Sequence, residues 1–204
     1  PDTDRSRGLG DVYKRQVLTM DLHCMQIQGF FDIPLDNLIG GPTLYNYFKP
    51  KVDDNFVVVS PDIGSVSRAR KVAARMDAKM AIIDKRRPKA NVMEVMNIIG
   101  DVEGKNCLMV DDMIDTAGTI VQGAKALKEA GAKEIYACCS HGVLSGPAIE
   151  RLAASPIQEL AILDTINIPQ EKMLPSFRII STASIFASAI ENVYLDKPMS
   201  KIYD

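Results

Sequence analysis

The feature that most constrains the fold is a regular alternation of short apolar runs with amphipathic segments from about residue 55 onward. In the amphipathic segments Ala and Val recur at helical spacing with Lys or Arg between them. The apolar runs are short and bounded by polar residues, which is typical of strands buried on both faces. The pattern predicts an open, mostly parallel α/β sheet with helices on both faces. The predicted strands are FVVVS, MAIID, CLMVDD, IYACCSHG, ELAILDT and FRIIST.

The two ends of the chain do not continue this alternation. Residues 1–16 are polar and aperiodic, and we interpret them as a disordered tail, an artefactual extension or a mistranslated end. Residues 17–41 open with the apolar run VLTMDLH, and a last helical pattern begins near residue 183. Because neither fits into a sheet formed by residues 55–182, we predict a remnant of a second domain at 17–41 beside a main domain at 42–182.

Composition excludes several classes of function. The formal net charge is −2, so no bulk electrostatic attraction to nucleic acid or to an anionic membrane is expected. The two histidines are too few for a multi-histidine metal cage. No apolar run approaches the roughly 20 residues that span a bilayer, and no signal-peptide pattern is visible. Four cysteines without a C-x-x-C pair indicate reduced core thiols, so we expect a cytoplasmic protein.

An acidic cluster follows the strand CLMV. Asp111, Asp112 and Asp115 fall within five positions and run into Thr116–Thr119, where a helix is predicted to begin. Ligands of open α/β sheets bind at the carboxyl ends of strands, so these acids are expected at the rim, with no need for burial. Small residues before a helix start form a cradle for phosphate, and paired carboxylates accept hydrogen bonds from sugar hydroxyls. A simple helix cap with two exposed acids is the alternative.

CLMVDDMIDTAGT resembles the phosphoribosyl-pyrophosphate binding fingerprint of type I phosphoribosyltransferases and of ribose-phosphate pyrophosphokinases. Further stretches resemble the pyrophosphokinases, with the bacterial, phosphate-activated class as the best fit. They are TMDLHCMQIQGFFDIPLDNL, VVVSPDIGSVSRARKVA, AIIDKRRPKANVMEVMNIIGDVEGK, SHGVLSGPAIERL and SIFASAIENVY. The resemblance implies a phosphoribosyltransferase-like fold, and the transfer of pyrophosphate from ATP to the anomeric hydroxyl of ribose 5-phosphate with Mg²⁺.

Site residues follow from this resemblance position by position. Lys85 and Arg87, on a loop after the strand, correspond to cations that stabilise the transition state. His23 and Asp62 correspond to residues that help hold Mg²⁺. Ribose 5-phosphate would be bound by Asp111, Asp112, Asp115, Thr116, Ala117, Gly118 and Thr119, and a regulatory site for phosphate and ADP would draw on Gln28, Asp36, Asn37 and Ser200.

The resemblance also implies what surrounds these residues. The family has an N-terminal domain before the position of Val17 and forms hexamers, so we expect an N-terminally truncated member whose residues 183–204 return to that domain. Much of the ATP pocket would then be missing. Three alternatives stay open. They are a non-catalytic regulatory homologue that binds sugar phosphate or partner subunits, an inactive fragment, and a type I phosphoribosyltransferase, although no base-binding hood is visible.

Overall fold

The computed structural model describes residues 16–86 and 95–203 and divides them into two compact units. The larger unit is Gly40–Thr182, and the smaller one takes in the described residues up to Ile39 together with those from Ala183 onward. In chain order the elements are β1 (Val17–Met20), β2 (Leu35–Leu38), α1 (Gly41–Phe48), β3 (Phe56–Ser60), α2 (Val66–Met76), β4 (Lys79–Arg86), β5 (Val95–Ile99), β6 (Asn106–Val110), β7 (Met113–Ile114), α3 (Gly118–Glu129), β8 (Glu134–Cys139), β9 (His141–Gly142), α4 (Ala148–Ala153), β10 (Glu159–Leu163), β11 (Phe177–Ile180) and α5 (Ala183–Tyr194).

Within the described part of the larger unit, seven strands form one sheet in the order β11-β10-β8-β6-β3-β4-β5. Neighbouring strands run parallel except β4 and β5, which are antiparallel. Because β3 and β6 are parallel neighbours, their carboxyl ends lie at the same edge of the sheet. The predicted open, mostly parallel α/β sheet is confirmed, with β5 at one edge.

Helices cover both faces of this sheet. On one face Val57 and Val59 share a core cluster with Ile120 and Leu127 of α3. On the other face α2 packs on β3 and β4. There the ring of Tyr136 lies 5.9 Å from that of Phe48 in α1, centroid to centroid. Strands that bury both faces need continuous apolar runs, which is why β3 reads FVVVS with every residue buried.

Three of the four cysteines belong to the core. Cys107, Cys138 and Cys139 are fully buried in β6 and β8, whereas Cys24 is exposed, and all four are free thiols. Burial raises the pKa of Cys107 to about 11, so its thiol stays protonated at neutral pH. These side chains therefore pack as small hydrophobic groups, as the sequence predicted.

The smaller unit is built on a two-stranded parallel sheet of β1 and β2. Asp36 of β2 accepts a hydrogen bond from Gln16, and Asn37 Oδ1 accepts from Thr19 Oγ1 at 3.1 Å. A 3₁₀ helix at Met25–Phe30 follows β1 and precedes β2 in the chain. Across the described ranges of both units we find no helix with the length and the apolar character that a membrane crossing requires.

The structure differs from the sequence reading in several elements, of which three bear on the site or on its surroundings. The reading contained neither β2 nor α1, because LDNL alternates with polar residues and the eight residues of α1 begin with Gly and Pro. It also placed Lys85 on a loop after a strand, and this is wrong. Strand β4 continues through Lys85 and Arg86, because both pair with β5, Lys85 opposite Met96 and Arg86 opposite Val95.

Candidate functional site

A cavity of about 310 Å³ opens at the carboxyl end of β6. Asp111 lies on its wall, immediately after the strand, and the rest of the lining comes from the loop that follows and from the first turn of α3. This is the edge at which open α/β sheets bind ligands. The lining residues are Asp111, Met113, Ile114, Asp115, Thr116, Ala117, Gly118, Thr119, Ile120 and Gln122.

The chain enters α3 through a left-handed residue. Ala117 has φ of 59° and ψ of 11°, and its carbonyl oxygen accepts the N–H of Val121 at 3.1 Å. The first N–H groups of an α-helix have no intrahelical partners and carry partial positive charge. The first turn of α3 contains no acidic residue to offset this charge. The entry into α3 is therefore suited to a phosphate group.

A second loop holds the first in place. Strand β9 pairs with β7, and beyond it the N–H of Leu144 donates to Ile114 O at 3.0 Å. The N–H of Ser145 donates to Asp115 O at 3.0 Å, and its hydroxyl donates to the Asp115 carboxylate. Asp115 is thus fixed by backbone and side chain to a residue thirty positions away. These bonds within the protein fix the conformation of the loop.

Arg151 of α4 places a cation at the same loop. Its Nη1 donates to the carbonyl oxygen of Thr116 at 2.9 Å. A Cβ atom added at Gly118 would lie 3.5 Å from that nitrogen, so the guanidinium rests against the start of α3. A charged donor there adds to the positive potential of the helix end.

An arginine from α2 bridges the two adjacent acids. Arg68 Nη1 lies 3.2 Å from Asp111 Oδ1, and Arg68 Nη2 lies 3.1 Å from Asp112 Oδ2. Asp111 Oδ1 also accepts the N–H of Asp112 at 2.9 Å and the hydroxyl of Ser65 at 3.4 Å. The N–H of Ser65 in turn donates to Asp62 Oδ1 at 2.7 Å. A continuous polar network thus joins the ends of β3 and β6.

The expectation that neither acid needs burial is wrong for Asp112. Its side chain is 7% exposed, and its Oδ1 accepts the N–H of Met113 at 3.0 Å. Burial is tolerated because Arg68 and backbone donors compensate the charge. Burial, followed by the contact with the Asp112 side chain, raises the pKa of Asp111 to about 6, although Arg68 and the backbone N–H of Asp112 act in the opposite direction. The acids of the pair thus differ: Asp111 faces the cavity and Asp112 is enclosed.

Comparison with known proteins places this site in a family. The sequence model described as "Phosphoribosyl synthetase-associated domain" matches residues 84–204, which include the whole cavity lining. The chain belongs to this family. Curated relatives named ribose-phosphate pyrophosphokinase are 59% identical over 191 residues in Clostridium perfringens and 60% identical over 190 residues in Clostridium acetobutylicum.

The family relationship extends over most of this chain but not over the whole of its relatives. Each of these two relatives is matched over 92% of this chain and 60% of its own length. The crystal structure of phosphoribosylpyrophosphate synthetase from Mycobacterium smegmatis superposes with a TM-score of 0.82 at 37% identity. It covers 92% of this chain and 61% of its own. The chain therefore spans about 60% of the length of the relatives that it matches.

The structure brings together the residues predicted for ribose 5-phosphate. Asp111 and the segment from Asp115 to Thr119 line one cavity, with Asp112 directly behind Asp111. Of the predicted catalytic cations, Lys85 lies in β4, and Arg87 lies outside the described residues.

The predicted metal ligands fall in different units. His23 is exposed just after β1 in the smaller unit, and Asp62 follows β3 in the larger one. Within residues 16–86 and 95–203, no group of three or more His, Cys, Asp or Glu side chains could hold a metal ion together. Mg²⁺ needs no such cage, because it keeps several waters and binds through one or two carboxylates together with substrate phosphates. Asp62, with one carboxylate oxygen turned to Ser65, fits that mode.

The predicted regulatory residues all belong to the smaller unit. Asp36 and Asn37 are neighbours in β2, and Asn37 Nδ2 approaches Met25 Sδ at 3.4 Å. Gln28 lies in the 3₁₀ helix that contains Met25, and Ser200 in the 3₁₀ helix Met199–Tyr203. Their role as an effector site stays a prediction.

Sequence reasoning missed four residues that build the site: Ser65, Arg68, Ser145 and Arg151. Arg68 was read as part of the polar face of α2. The only signal was its place in the first turn of a helix that follows a strand, which positions it at the carboxyl edge of the sheet. Its partner could be named only once β3 and β6 were known to be neighbours.

Proposed function

We propose that this chain contains the ribose 5-phosphate site of a ribose-phosphate pyrophosphokinase. In the reaction the β,γ-pyrophosphoryl group of ATP passes to the anomeric hydroxyl of ribose 5-phosphate, which gives 5-phosphoribosyl 1-pyrophosphate and AMP. The observation that carries this proposal is that Asp111 and the start of α3 face one cavity of about 310 Å³. An acid for sugar hydroxyls and a cradle for phosphate thus line the same space.

The two ends of the sugar phosphate would be bound by different physical means. The 5-phosphate lies against the N–H groups at the start of α3, supported by the hydroxyls of Thr116 and Thr119 and by the charge of Arg151. The ribose hydroxyls donate to the carboxylate pair, with Asp111 on the cavity wall. Charge-assisted hydrogen bonds of this kind are about twice as strong as neutral ones.

Transfer of the pyrophosphoryl group requires positioning and charge neutralisation rather than covalent chemistry by the protein. Lys85, which lies in β4, and Arg87 supply the cations in this proposal. A pair of cations beside the transferred phosphates would stabilise charge that develops in the transition state. Mg²⁺ would be held by Asp62 together with ATP phosphates, and it supplies further charge neutralisation when bound. The resemblance also assigns His23, in the smaller unit, to Mg²⁺ binding.

The proposed function also covers the second domain, the oligomeric state, the effectors and the location of the protein. We assign residues 17–41 to the remnant of a second, N-terminal domain and residues 183–204 to a helix and tail that return to that domain. A homo-oligomer regulated by phosphate and ADP, located in the cytoplasm, is what the resemblance to bacterial pyrophosphokinases predicts.

A non-catalytic homologue is the first alternative to this proposal. Such a protein would bind ribose 5-phosphate without turnover. A type I phosphoribosyltransferase is a weaker alternative, since the curated relatives named above are pyrophosphokinases.

Two measurements separate these functions. Isothermal titration with ribose 5-phosphate tests the site, and ribose without phosphate serves as the matched ligand that lacks the cradle contact. AMP formation with ATP, ribose 5-phosphate, Mg²⁺ and phosphate tests turnover, beside a Lys85→Ala variant. AMP that disappears in the variant supports the enzyme. Binding without AMP favours the non-catalytic homologue, and absence of binding contradicts the site itself.

A further inference from the structure

Arg68 contacts both members of the acid pair from a neighbouring element. It lies in the first turn of α2, which follows β3, and β3 is hydrogen-bonded to β6. Its two terminal nitrogens lie 3.2 Å from Asp111 Oδ1 and 3.1 Å from Asp112 Oδ2. One planar guanidinium therefore spans two carboxylates that are consecutive in the sequence, a geometry that suits arginine better than lysine.

The acids depend on this cation because both side chains are mostly buried. The side chain of Asp111 is 18% exposed and that of Asp112 is 7% exposed. Two adjacent carboxylates removed from water repel each other, and each is costly to bury without an opposite charge. Arg68 supplies that charge to both acids at once.

The hydrogen bonds around Asp111 also fix its orientation. Its Oδ1 accepts from Arg68, from the N–H of Asp112 at 2.9 Å and from Ser65 Oγ at 3.4 Å. Because three donors converge on one oxygen, the carboxylate is held in a single rotation. Ser65 is itself fixed by its N–H, which donates to Asp62 Oδ1 at 2.7 Å.

We propose that Arg68 is a positioning residue for sugar recognition, which acts through Asp111 and Asp112 and not by contact with the phosphate. This inference rests on the proposed function and names the residue that orients its ribose-binding acids. A sugar hydroxyl then meets Asp111 at Oδ2, because Oδ1 is occupied by protein donors. Arg68 therefore governs the preference for a sugar with its ring hydroxyls intact, while the start of α3 governs the affinity for phosphate.

The test measures the preference for ribose 5-phosphate over its 2-deoxy analogue, and not only the affinity for one ligand. Titrations with ribose 5-phosphate, 2-deoxyribose 5-phosphate and inorganic phosphate are carried out on the wild-type chain and on Arg68→Gln. A site built to accept a hydroxyl prefers the ligand that has it by about tenfold or more. We expect Arg68→Gln to remove most of this preference and to leave binding of inorganic phosphate within about twofold.

Two further variants keep the result interpretable. Arg70→Gln removes an exposed arginine from the same helix and should retain the full preference. Arg68→Lys keeps the positive charge but lacks the two terminal nitrogens of the planar guanidinium. We expect it to retain part of the preference. If Arg68→Gln does not fold by circular dichroism, Arg68→Lys decides: an unchanged preference overturns the proposal and a reduced one supports it.

The remaining outcomes are distinct. A folded Arg68→Gln chain with the full wild-type preference overturns the inference. Equal weakening of sugar phosphate and inorganic phosphate also overturns it, because Arg68 would then contact the anion directly. A wild-type chain that binds no ribose 5-phosphate contradicts the proposed function itself, and the inference with it.

Discussion

The Nη1 atom of Arg151 donates a hydrogen bond to the carbonyl oxygen of Thr116 at 2.9 Å. This contact joins α4 to the loop before α3, two segments that the sequence separates by more than thirty residues. It places a cation beside a helix start that already favours anions. The phosphate cradle is thus a product of two segments and not of the fingerprint sequence alone.

Replacing Arg151 with methionine should weaken binding of ribose 5-phosphate by about three- to tenfold, because a charged donor to the loop is lost. Titration calorimetry at constant ionic strength measures this. Lys125→Met removes an exposed cation from the middle of α3 and is the control for net charge. Equal effects of the two substitutions would show that only overall charge matters.

Asp115 and Ser145 should act as one unit. Asp115→Ala is expected to weaken binding of ribose 5-phosphate by about tenfold, because the loop loses its side-chain tie to Ser145. Ser145→Ala should weaken binding to a similar extent, and the double variant should bind about as well as either single variant, since both substitutions break the same contact. A double-mutant cycle measures the coupling. Strictly additive losses would mean that Asp115 contacts the ligand independently of Ser145.

Stability should depend on pH through Asp111. Its folded pKa of about 6 lies above the ordinary value of 3.8, chiefly because the group is buried. Between these values the folded state keeps a proton that the unfolded state has released, so stability falls as pH rises from about 4 to about 6 and then levels off. Urea unfolding gives the difference in free energy of unfolding between wild type and Asp111→Asn. This difference should change by about 1–3 kcal/mol over this pH window. If the two proteins lose stability with pH in parallel, Asp111 is not the group responsible for the pH dependence.

The two possible roles of Asp62 can be separated by isosteric substitution. Asp62 Oδ1 accepts the N–H of Ser65 at 2.7 Å just before α2. Asp62→Asn keeps an acceptor, so stability should be nearly unchanged while Mg²⁺ affinity in the presence of ATP falls. Asp62→Ala removes the acceptor and should also lower the free energy of unfolding by about 1 kcal/mol. Unaltered Mg²⁺ affinity in Asp62→Asn would leave Asp62 with a structural role alone, in the turn before α2.

A cluster at the amino ends of the strands should affect stability without affecting the site. Lys51 Nζ lies 2.7 Å from Glu159 Oε1 and 4.9 Å from the centre of the Tyr136 ring. Because Lys51 is about one-third exposed, water weakens these contacts, and Lys51→Met should lower the free energy of unfolding by only about 0.5–1 kcal/mol. Thermal unfolding measures this. Ribose 5-phosphate affinity should be unchanged, and a loss of affinity would mean that the two ends of the sheet are coupled.

Local patterns predicted the parts of this fold that each segment determines for itself. The continuous apolar run of β3 and the helical spacing in α2 and α3 gave the sheet and its covering helices. Short elements with mixed patterns were missed, as α1 and β2 show. The end of β4 was misplaced because its last residues are charged and become a strand only through pairing with β5.

The site residues also divide into those that one stretch of sequence predicts and those that only the fold brings to the site. The acids and the loop before α3 are consecutive in the sequence, so a single stretch indicated them. Arg68 and Arg151 reach the site from other elements, and their contacts depend on strand order and on loop packing. No local pattern distinguishes them from solvated surface arginines. The buried state of Asp112 was missed for the same reason, since its partner lies in α2.

The pairing of β7 with β9 has a consequence for local opening. The amides of Leu144 and Ser145 are bonded to the carbonyl oxygens of Ile114 and Asp115, so neither loop can open without breaking bonds to the other. Segments linked in this way exchange their amide hydrogens as one cooperative unit. A phosphate bound only at the start of α3 should therefore slow hydrogen exchange at Leu144 and Ser145 as well. Ligand occupancy would then be recorded by amides that the ligand never touches.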